Sequence, residues 1–236
     1  MICYAFPLAH EAESLLKLCS QKDQFTIDGV ECVVGNLGLR TNVLIARIGM
    51  GEAAATDNTE TIFQHFKLKA LVLAGYGGAL VPPLKVGQVL ISSNLSSEAV
   101  LGFLRMLSGF DFASFGTIDE IVGTPEGRDE VARACEAQVA DMETEAVANV
   151  VIPRQIPFLA VRAISDDYQH VLPVGALAAG FNASLGKPTP VRLLSYLAMH
   201  PGEIAPMAKF IGDLGLARKN LTRFLQTLNA ELPAGW

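Results

Sequence analysis

Clustered basic residues are missing from this 236-residue sequence, whose net charge is −6. A nucleic-acid-binding protein needs grouped lysines and arginines to neutralise phosphates, so the charge pattern argues against that class. The cysteines are few and scattered: Cys3, Cys19, Cys32 and Cys135 form no C-x-x-C pair and no cluster with histidine at metal-ligand spacing. We therefore expect reduced, mostly buried thiols, no metal, no cofactor and a small-molecule ligand.

Targeting and membrane-spanning patterns are also missing. The first residues, MICYAFPLAHEAE, have no basic region and become acidic within eleven residues, unlike a signal peptide. Long uncharged runs such as ALVLAGYGGALVPPL contain glycine and proline pairs and are shorter than the roughly 20 apolar residues of a spanning helix. We predict a cytoplasmic protein without a transmembrane segment.

Half of the residues are apolar, and a chain of this length can bury one large core, so a single domain over 1–236 is expected. Short apolar, β-branched runs predict strands, and helical patterns lie between them. The predicted strands cover 2–6, 30–34, 42–48, 70–75, 87–92 and 158–165, and the predicted helices cover 10–19, 52–66, 127–137, 142–151 and the tail from 190. This alternation indicates a three-layer α/β fold.

Acidic residues lie next to the ends of these strands, and ligands of such sheets bind beyond the carboxyl ends of the strands. Glu11 comes just after the first strand, and Asp166 follows the apolar strand VRAIS. A carboxyl group at Asp166 can be partly desolvated and so kept protonated near neutral pH. The glycine-rich loop AGYGGAL, which includes Gly75, lets a ligand approach the backbone closely.

Each acidic residue also has a purely structural interpretation. Glu11 can be a first-turn acid of an exposed helix, and Asp166 can be a turn residue. In the stretch DMETEAVA, Asp141 and Glu145 share one helix face and fit a helix start, whereas Glu143 lies about 200° around the helix from Asp141. Glu143 is therefore the functional candidate of that stretch.

A set of motifs carries a resemblance to a known superfamily. In chain order, HEAESLL, RIGMGEAAA, AGYGGAL with LKVGQVLIS, ADMETEAVA and VRAISD resemble the nucleoside phosphorylase/nucleosidase superfamily, especially the methylthioadenosine/S-adenosylhomocysteine nucleosidases, over residues 1 to about 170. The tail is similar to the hopanoid-biosynthesis-associated branch, which in related pathways removes adenine from adenosylhopane. The resemblance implies an α/β/α fold with a central mixed, twisted sheet, and hydrolysis of the N-glycosidic bond of a 5′-substituted adenine-type nucleoside.

The resemblance also implies roles for single residues. Glu143 would accept hydrogen bonds from the ribose hydroxyls, with Met142 packed against the sugar. Asp166 would protonate purine N7, and Glu11 would activate the attacking water. These residue types suit the cleavage of a ribosyl C–N bond, because carboxylates stabilise an oxocarbenium-like centre and a carboxylic acid protonates the leaving group. The predicted catalytic residues are Asp166 and Glu11, and the predicted substrate-binding residues are Glu143, Met142, Gly75, Tyr76, Ile121, Val122 and Ser165.

The sequence departs from the phosphate-dependent members of the superfamily. Their glycine loop carries an arginine or serine for phosphate, which is absent here, and only Arg40 and Arg47 are candidate anion-binding residues. A phosphate dianion binds poorly without a cation, so water is the predicted nucleophile. The enzyme alternative is a phosphate-dependent purine nucleoside phosphorylase. The non-enzyme alternative is a nucleoside-binding protein, which would not need a leaving-group acid.

Arg162 and the C-terminal tail are two further charged features of the sequence. Arg162, between apolar neighbours of a strand, predicts structural pairing with a carboxylate or carbonyl. From about residue 189 the chain is expected to form an amphipathic helical extension, which from Arg192 onward carries five basic and three acidic residues. The extension fits a helix packed on the domain or on a subunit partner, or else a surface for a lipid-like substrate or membrane. We expect a homo-oligomer, most simply a dimer.

Overall fold

The computed structural model describes residues 1–182 and 187–233, which form one ten-stranded sheet, one two-stranded sheet and helices on both faces of the larger sheet. The strands of the larger sheet are β1 Ile2–Phe6, β2 Cys19–Ile27, β3 Val30–Leu37, β4 Arg40–Arg47, β5 Ala70–Ala79, β6 Val89–Ser92, β7 Asp111–Ala113, β8 Phe115–Thr117, β9 Val139–Asp141 and β10 Phe158–Asp166. The smaller sheet pairs β11 Phe181–Asn182 with β12 Lys187–Pro188.

The helices alternate with these strands. They are α1 Ala9–Leu18, α2 Glu52–His65, α3 Glu98–Arg105, α4 Pro125–Cys135, α5 Thr144–Val151, α6 Val174–Gly180, α7 Pro190–Met199 and α8 Ile204–Glu231. Short 3₁₀ turns cover Ile152–Arg154 and Pro201–Glu203. All six predicted strands are present, and the predicted helices agree with α1, α2, α4, α5 and the tail to within about two residues.

The larger sheet is mixed, as expected. Its main order is β2-β3-β4-β1-β5-β10-β6-β7, with β9 pairing the end of β5 and β8 pairing β9. The central strands β4, β1, β5 and β10 run parallel, whereas β2, β3, β6 and β9 each pair antiparallel to a neighbour. Because β1, β5 and β10 are parallel neighbours, their carboxyl ends meet at one edge of the sheet.

Two apolar cores lie on opposite faces of the sheet. On β1, Tyr4 and Phe6 belong to one core and Cys3 and Ala5 to the other, following the alternation of side chains along a strand. Helices α1, α3 and α8 cover the first core, and α2 and α5 cover the second. The prediction of a three-layer α/β/α fold is therefore confirmed, and three of the four cysteines are buried, also as predicted.

The strand β2 was missed because its residues are mostly polar and exposed. It forms a hairpin with β3 through Asp28 and Gly29, both at positive φ (46° and 89°). A DG pair between two extended segments is a typical hairpin signal, so the sequence contained the information.

The tail packs on the domain through its second half. Along α8, Ala217, Leu221, Leu225 and Leu228 are buried in the same core as β1. Near the end of α8, buried Asn229 accepts a hydrogen bond from the Tyr4 hydroxyl at 2.7 Å. Within residues 1–182 and 187–233, no helix is both long enough and apolar enough to cross a membrane.

Candidate active site

Four carboxylates lie along one edge of the sheet: the predicted site residues Glu11, Glu143 and Asp166, and Asp141, which was predicted to start a helix. Glu11 enters from α1, directly after β1, and Asp166 is the last residue of β10. Asp141 ends β9 and Glu143 immediately precedes α5. All four side chains are buried, with 4–5% of each residue exposed. The fold thus collects carboxylates from distant parts of the chain at the carboxyl ends of the parallel strands.

Glu11 is held by backbone donors. The N–H of Tyr76 donates to Oε1 at 2.9 Å, and the N–H of Leu8 donates to Oε2 at 2.7 Å. Burial raises the pKa of Glu11 to about 8, against the opposing charge of Arg162, and the nearby Glu143 raises it further. A carboxylate with a pKa near the working pH, fixed in one orientation, is suited to accept a proton from water.

Asp141 and Arg162 form a fully buried ion pair next to Glu143. Nε of Arg162 donates to Oδ2 of Asp141 at 2.8 Å, and Asp141 also accepts the backbone N–H of Thr144 at 3.0 Å. Although burial opposes ionisation, the Arg162 charge and the Thr144 bonds keep the pKa of Asp141 below its usual value. Asp141 therefore does stabilise the start of α5, as predicted, and in addition is the partner that the predicted structural pairing of Arg162 required.

Glu143 hydrogen-bonds to the same arginine and to the backbone just before α2. Its Oε2 accepts from Nη2 of Arg162 at 3.2 Å, and its Oε1 accepts the backbone N–H of Gly51 at 3.0 Å. Burial raises the pKa of Glu143 to about 7, the Arg162 charge lowers it, and the Asp141 charge raises it. By contrast, Glu145 is exposed in the first turn of α5, where the sequence predicted a helix-start residue.

Asp166 has donors on both carboxyl oxygens. Oδ1 accepts from the hydroxyl of Ser165 at 2.6 Å, and Oδ2 accepts from Nη2 of Arg128 at 2.6 Å. The Ser165 hydroxyl also lies 3.2 Å from the carbonyl oxygen of Gly77. The sequence did not reveal this pairing with Arg128, whose guanidinium is a strong hydrogen-bond donor to a carboxyl group.

A cavity of about 760 Å³ opens beside these groups, within the range of roughly 300–1,000 Å³ found for small-molecule sites. Glu11, Glu143, Asp166 and Arg128 contribute to its wall. Most of the wall is apolar, and part of it comes from the segment after β10 and from α8: Leu172, Leu177, Phe181, Pro188, Met207, Phe210 and Leu214. The cavity therefore combines buried charged side chains with a largely apolar wall.

Most of the predicted substrate-binding residues line this cavity: Met142, Glu143, Tyr76, Ile121, Val122 and Ser165. Gly75 does not; it lies beneath the wall, where a Cβ would be 2.8 Å from Oε1 of Glu11 and would collide with Arg162. Glycine at this position lets Glu11 and Arg162 approach each other. The functional roles of these residues stay predictions.

The two candidate anion-binding arginines lie elsewhere. Arg40 donates to backbone carbonyls at the end of α8, including that of Asn229 at 2.9 Å. Arg47 pairs with Glu31 at 2.8 Å. Neither belongs to the wall of the cavity, so neither is placed to bind an anion there. Sequence position alone could not reveal this, because both arginines precede a glycine motif that does reach the site.

Sequence reasoning missed several residues of the site. Arg128 looked like one charged residue among several in a polar helix, and no local pattern marks it. The residues Met207, Phe210 and Leu214 follow helical spacing in the sequence, and that spacing is the signal for a shared face. Met50, in the IGMG motif, also lines the cavity.

Two sequence comparisons relate the chain to known proteins. The family model described as the phosphorylase superfamily matches residues 4–111. A 5′-methylthioadenosine/S-adenosylhomocysteine nucleosidase of Shewanella denitrificans is 25% identical over 201 residues, which cover 70% of this chain and 85% of the relative.

Solved structures share the fold over almost the whole chain. A futalosine hydrolase of Helicobacter pylori superposes with a TM-score of 0.74 at 16% identity, covering 98% of this chain and 97% of that one. An S-adenosylhomocysteine nucleosidase from Streptococcus pyogenes, in complex with 5-methylthiotubericidin, gives a TM-score of 0.71 at 17% identity, covering 99% and 97%. At these identities the likeness establishes the fold.

Proposed function

We propose that the protein is a nucleosidase of the nucleoside phosphorylase/nucleosidase superfamily that hydrolyses the N-glycosidic bond of a nucleoside; the superfamily match and the nucleosidase relative support this. The observation that carries the proposal is the convergence of Glu11, Glu143 and Asp166 on one cavity. The nucleosidase relative and the fold neighbours support the hydrolase class.

The proposed reaction uses each carboxyl group in a different way. Glu11 accepts a proton from water, whose oxygen bonds to C1′ of the ribose as the C1′–N9 bond breaks. The bonding electron pair leaves with the base, and Asp166 delivers a proton to N7 so that the base departs neutral. Glu143 binds the ribose hydroxyls and stabilises the positive charge that develops on the sugar.

Water is the better nucleophile for this cavity. Among the described side chains of its wall, the one arginine is Arg128, which already pairs with Asp166, and no lysine is present. A phosphate dianion would therefore lack an available cation. The carboxylate form of Glu11, which the proposed reaction requires, would also repel it, because like charges at close range are unfavourable.

Product analysis tests this directly. The protein is incubated with a panel of nucleosides, with and without phosphate, in isotopically labelled water, and the released base and sugar are analysed by mass spectrometry. We expect free ribose carrying one labelled oxygen and no dependence on phosphate. A sugar phosphate with an absolute phosphate requirement would establish the phosphorylase alternative, and binding without any released base would establish the nucleoside-binding alternative.

The substrate is proposed to be an adenine-type nucleoside with an apolar 5′ substituent, similar to adenosylhopane. Two features support this: the similarity of the tail to the hopanoid-associated branch, and the apolar wall formed by Leu177, Phe181, Met207, Phe210 and Leu214. A bare nucleoside would leave much of this wall in contact with water, whereas an apolar substituent would bury it.

A series of 5′-alkylthioadenosines of increasing chain length measures the contribution of the wall. Each buried CH₂ is worth about 0.8 kcal/mol, so kcat/KM should rise about fourfold per added methylene until the wall is covered. Phe210→Ser, which shortens the wall without touching the carboxylates, should flatten this rise. Equal kcat/KM across the series would contradict the proposed substituent.

Helix α7 presents an exposed apolar surface. On α7, Val191, Leu194 and Met199 are 76%, 68% and 71% exposed, close in sequence to the cavity residue Pro188. We propose that this apolar surface contacts a second copy of the chain in a dimer or, peripherally, a membrane that supplies an apolar substrate. A cytoplasmic location is proposed because Cys3, Cys19, Cys32 and Cys135 are free thiols, three of them buried.

A further inference from the structure

Helix α4 buries a single residue, and that residue is an arginine. Arg128 is 1% exposed, while every other residue of Pro125–Cys135 is half-buried or exposed. Burying a guanidinium is costly unless its charge and N–H groups are matched, so a helix that otherwise stays at the surface needs a reason to do this.

The guanidinium of Arg128 hydrogen-bonds to three separate segments of the chain beside the cavity. Nη1 donates to the carbonyl oxygen of Ala79, after β5, at 2.8 Å. Nη2 donates to Oδ2 of Asp166 at 2.6 Å and to the carbonyl oxygen of His170 at 3.2 Å. One planar group therefore fixes the end of β5, the end of β10 and the loop that follows β10.

Asp166 is consequently held from both sides. Arg128 binds Oδ2 and the Ser165 hydroxyl binds Oδ1, each at 2.6 Å. With both oxygens engaged, rotation of the carboxyl group would break at least one short hydrogen bond. The direction in which Asp166 faces the cavity is set by these two contacts.

We propose that Arg128 is a positioning residue for leaving-group protonation, acting through Asp166. The inference rests on the proposed function. When the O–H bond of Asp166 breaks and the proton bonds to N7 of the base, a carboxylate is left beside the guanidinium. The Arg128 charge stabilises that carboxylate as it forms, and the hydrogen bonds hold it in line with the departing base.

The proposal distinguishes leaving groups. A purine must be protonated to depart, whereas nitrophenolate departs as an anion and needs no acid. Arg128→Gln should therefore lower kcat/KM on an adenine nucleoside by about 10- to 100-fold, the size of effect expected from a misplaced catalytic group. On a nitrophenyl riboside the loss should stay below about threefold, because the nucleophile and sugar contacts are unchanged.

A double-mutant cycle identifies the route of the effect. Asp166→Asn alone should lose about 10²- to 10⁴-fold on the adenine nucleoside. If Arg128 acts through Asp166, adding Arg128→Gln to Asp166→Asn should cost less than about twofold more. Arg128→Lys should recover part of the loss, since an ammonium keeps the charge but cannot make all three contacts.

The leaving-group ratio compares two substrates on one variant and so does not depend on the fraction of folded protein. Activities in the cycle are divided by the folded fraction measured by circular dichroism, because Arg128→Gln leaves two carbonyls without their donor. If that variant does not fold, Arg128→Lys carries both comparisons. Equal losses on the two substrates, or multiplied losses in the double variant, would overturn the proposal. Wild-type protein that releases no base from any nucleoside would instead refute the proposed function.

Discussion

Replacing Glu11 by glutamine tests the central chemical assignment. Both oxygens of Glu11 accept backbone hydrogen bonds, from Tyr76 at 2.9 Å and from Leu8 at 2.7 Å. A glutamine has one oxygen and one NH₂ group, so one of these donors would face another donor. The substitution removes the proposed base and leaves one buried N–H without an acceptor.

The expected loss of activity is large. General-base catalysis contributes about 10²- to 10⁴-fold, so kcat/KM should fall by that factor. In the wild type, kcat/KM should rise as Glu11 loses its proton, through about pH 8, because the pKa of Glu11 is raised to about 8 chiefly by burial. The variant should lose this rise.

The pH dependence of the unfolding free energy is a second, independent measure of the raised pKa of Glu11, and its direction can be predicted. The folded pKa of about 8 for Glu11 lies above its usual value of 4.5, so the native state binds the proton more tightly. The stability from this group is complete below about pH 4.5 and is lost as the pH rises through about 8. At about 1.4 kcal/mol per pH unit, the change over this window is on the order of 5 kcal/mol.

Glu11→Gln removes that pH dependence at the cost of one unsatisfied donor, about 1–3 kcal/mol. We expect a flatter plot of unfolding free energy against pH, with a remaining slope from Glu143, whose pKa of about 7 is also raised. Denaturant unfolding at several pH values and base release by chromatography measure the two effects. Glu98→Gln, on the exposed face of α3, is the matched control. Activity within threefold of wild type and an unchanged slope would refute the assignment.

Three further changes test other parts of the molecule. Glu143→Gln should lower kcat/KM by about 10²-fold, because an amide stabilises positive charge on the sugar less well; exposed Glu145→Gln should have little effect, and equal behaviour of the two would remove Glu143 from the site. Leu225→Ala, at 1% exposure in α8, should cost about 2–5 kcal/mol of unfolding free energy in a denaturant titration; a loss below 1 kcal/mol would mean that α8 packs loosely. Replacing exposed Leu194 and Met199 by serine should abolish liposome sedimentation or dimerisation without changing the melting temperature; if sedimentation and the oligomer are both unchanged, this surface binds neither partner.

Much of the fold could be predicted from the sequence because its central strands are long, apolar and separated by helices. Strands such as β10, buried along its whole length, leave a continuous apolar run in the sequence. Elements at the edge of the sheet do not: β2 is mostly exposed, and β7, β8 and β9 have three residues each. Short strands are stabilised by their partners rather than by their own pattern, so they leave little local signal.

The tail shows how one helix can contain two kinds of surface. Its apolar spacing predicted an amphipathic helix, and the pattern could not say what the apolar face contacts. In the structure Leu221 and Leu228 enter the core, whereas Met207 and Phe210, earlier on the same helix, face the cavity. Only the position of α8 relative to the sheet decides which apolar residues stabilise the fold and which are available to a ligand.

The sequence by itself determined the central strands and most of the helices between them, and it marked Glu11, Glu143 and Asp166 as candidate site residues, because apolar runs and short motifs are local features. The tertiary structure decided their partners. Arg128 reaches Asp166 across 38 positions of the chain, and nothing near it in sequence separates it from an exposed arginine of a polar helix. A charge can be buried only where a distant segment supplies a matching charge and hydrogen-bond acceptors, so its location becomes known only when the packed chain brings those groups together.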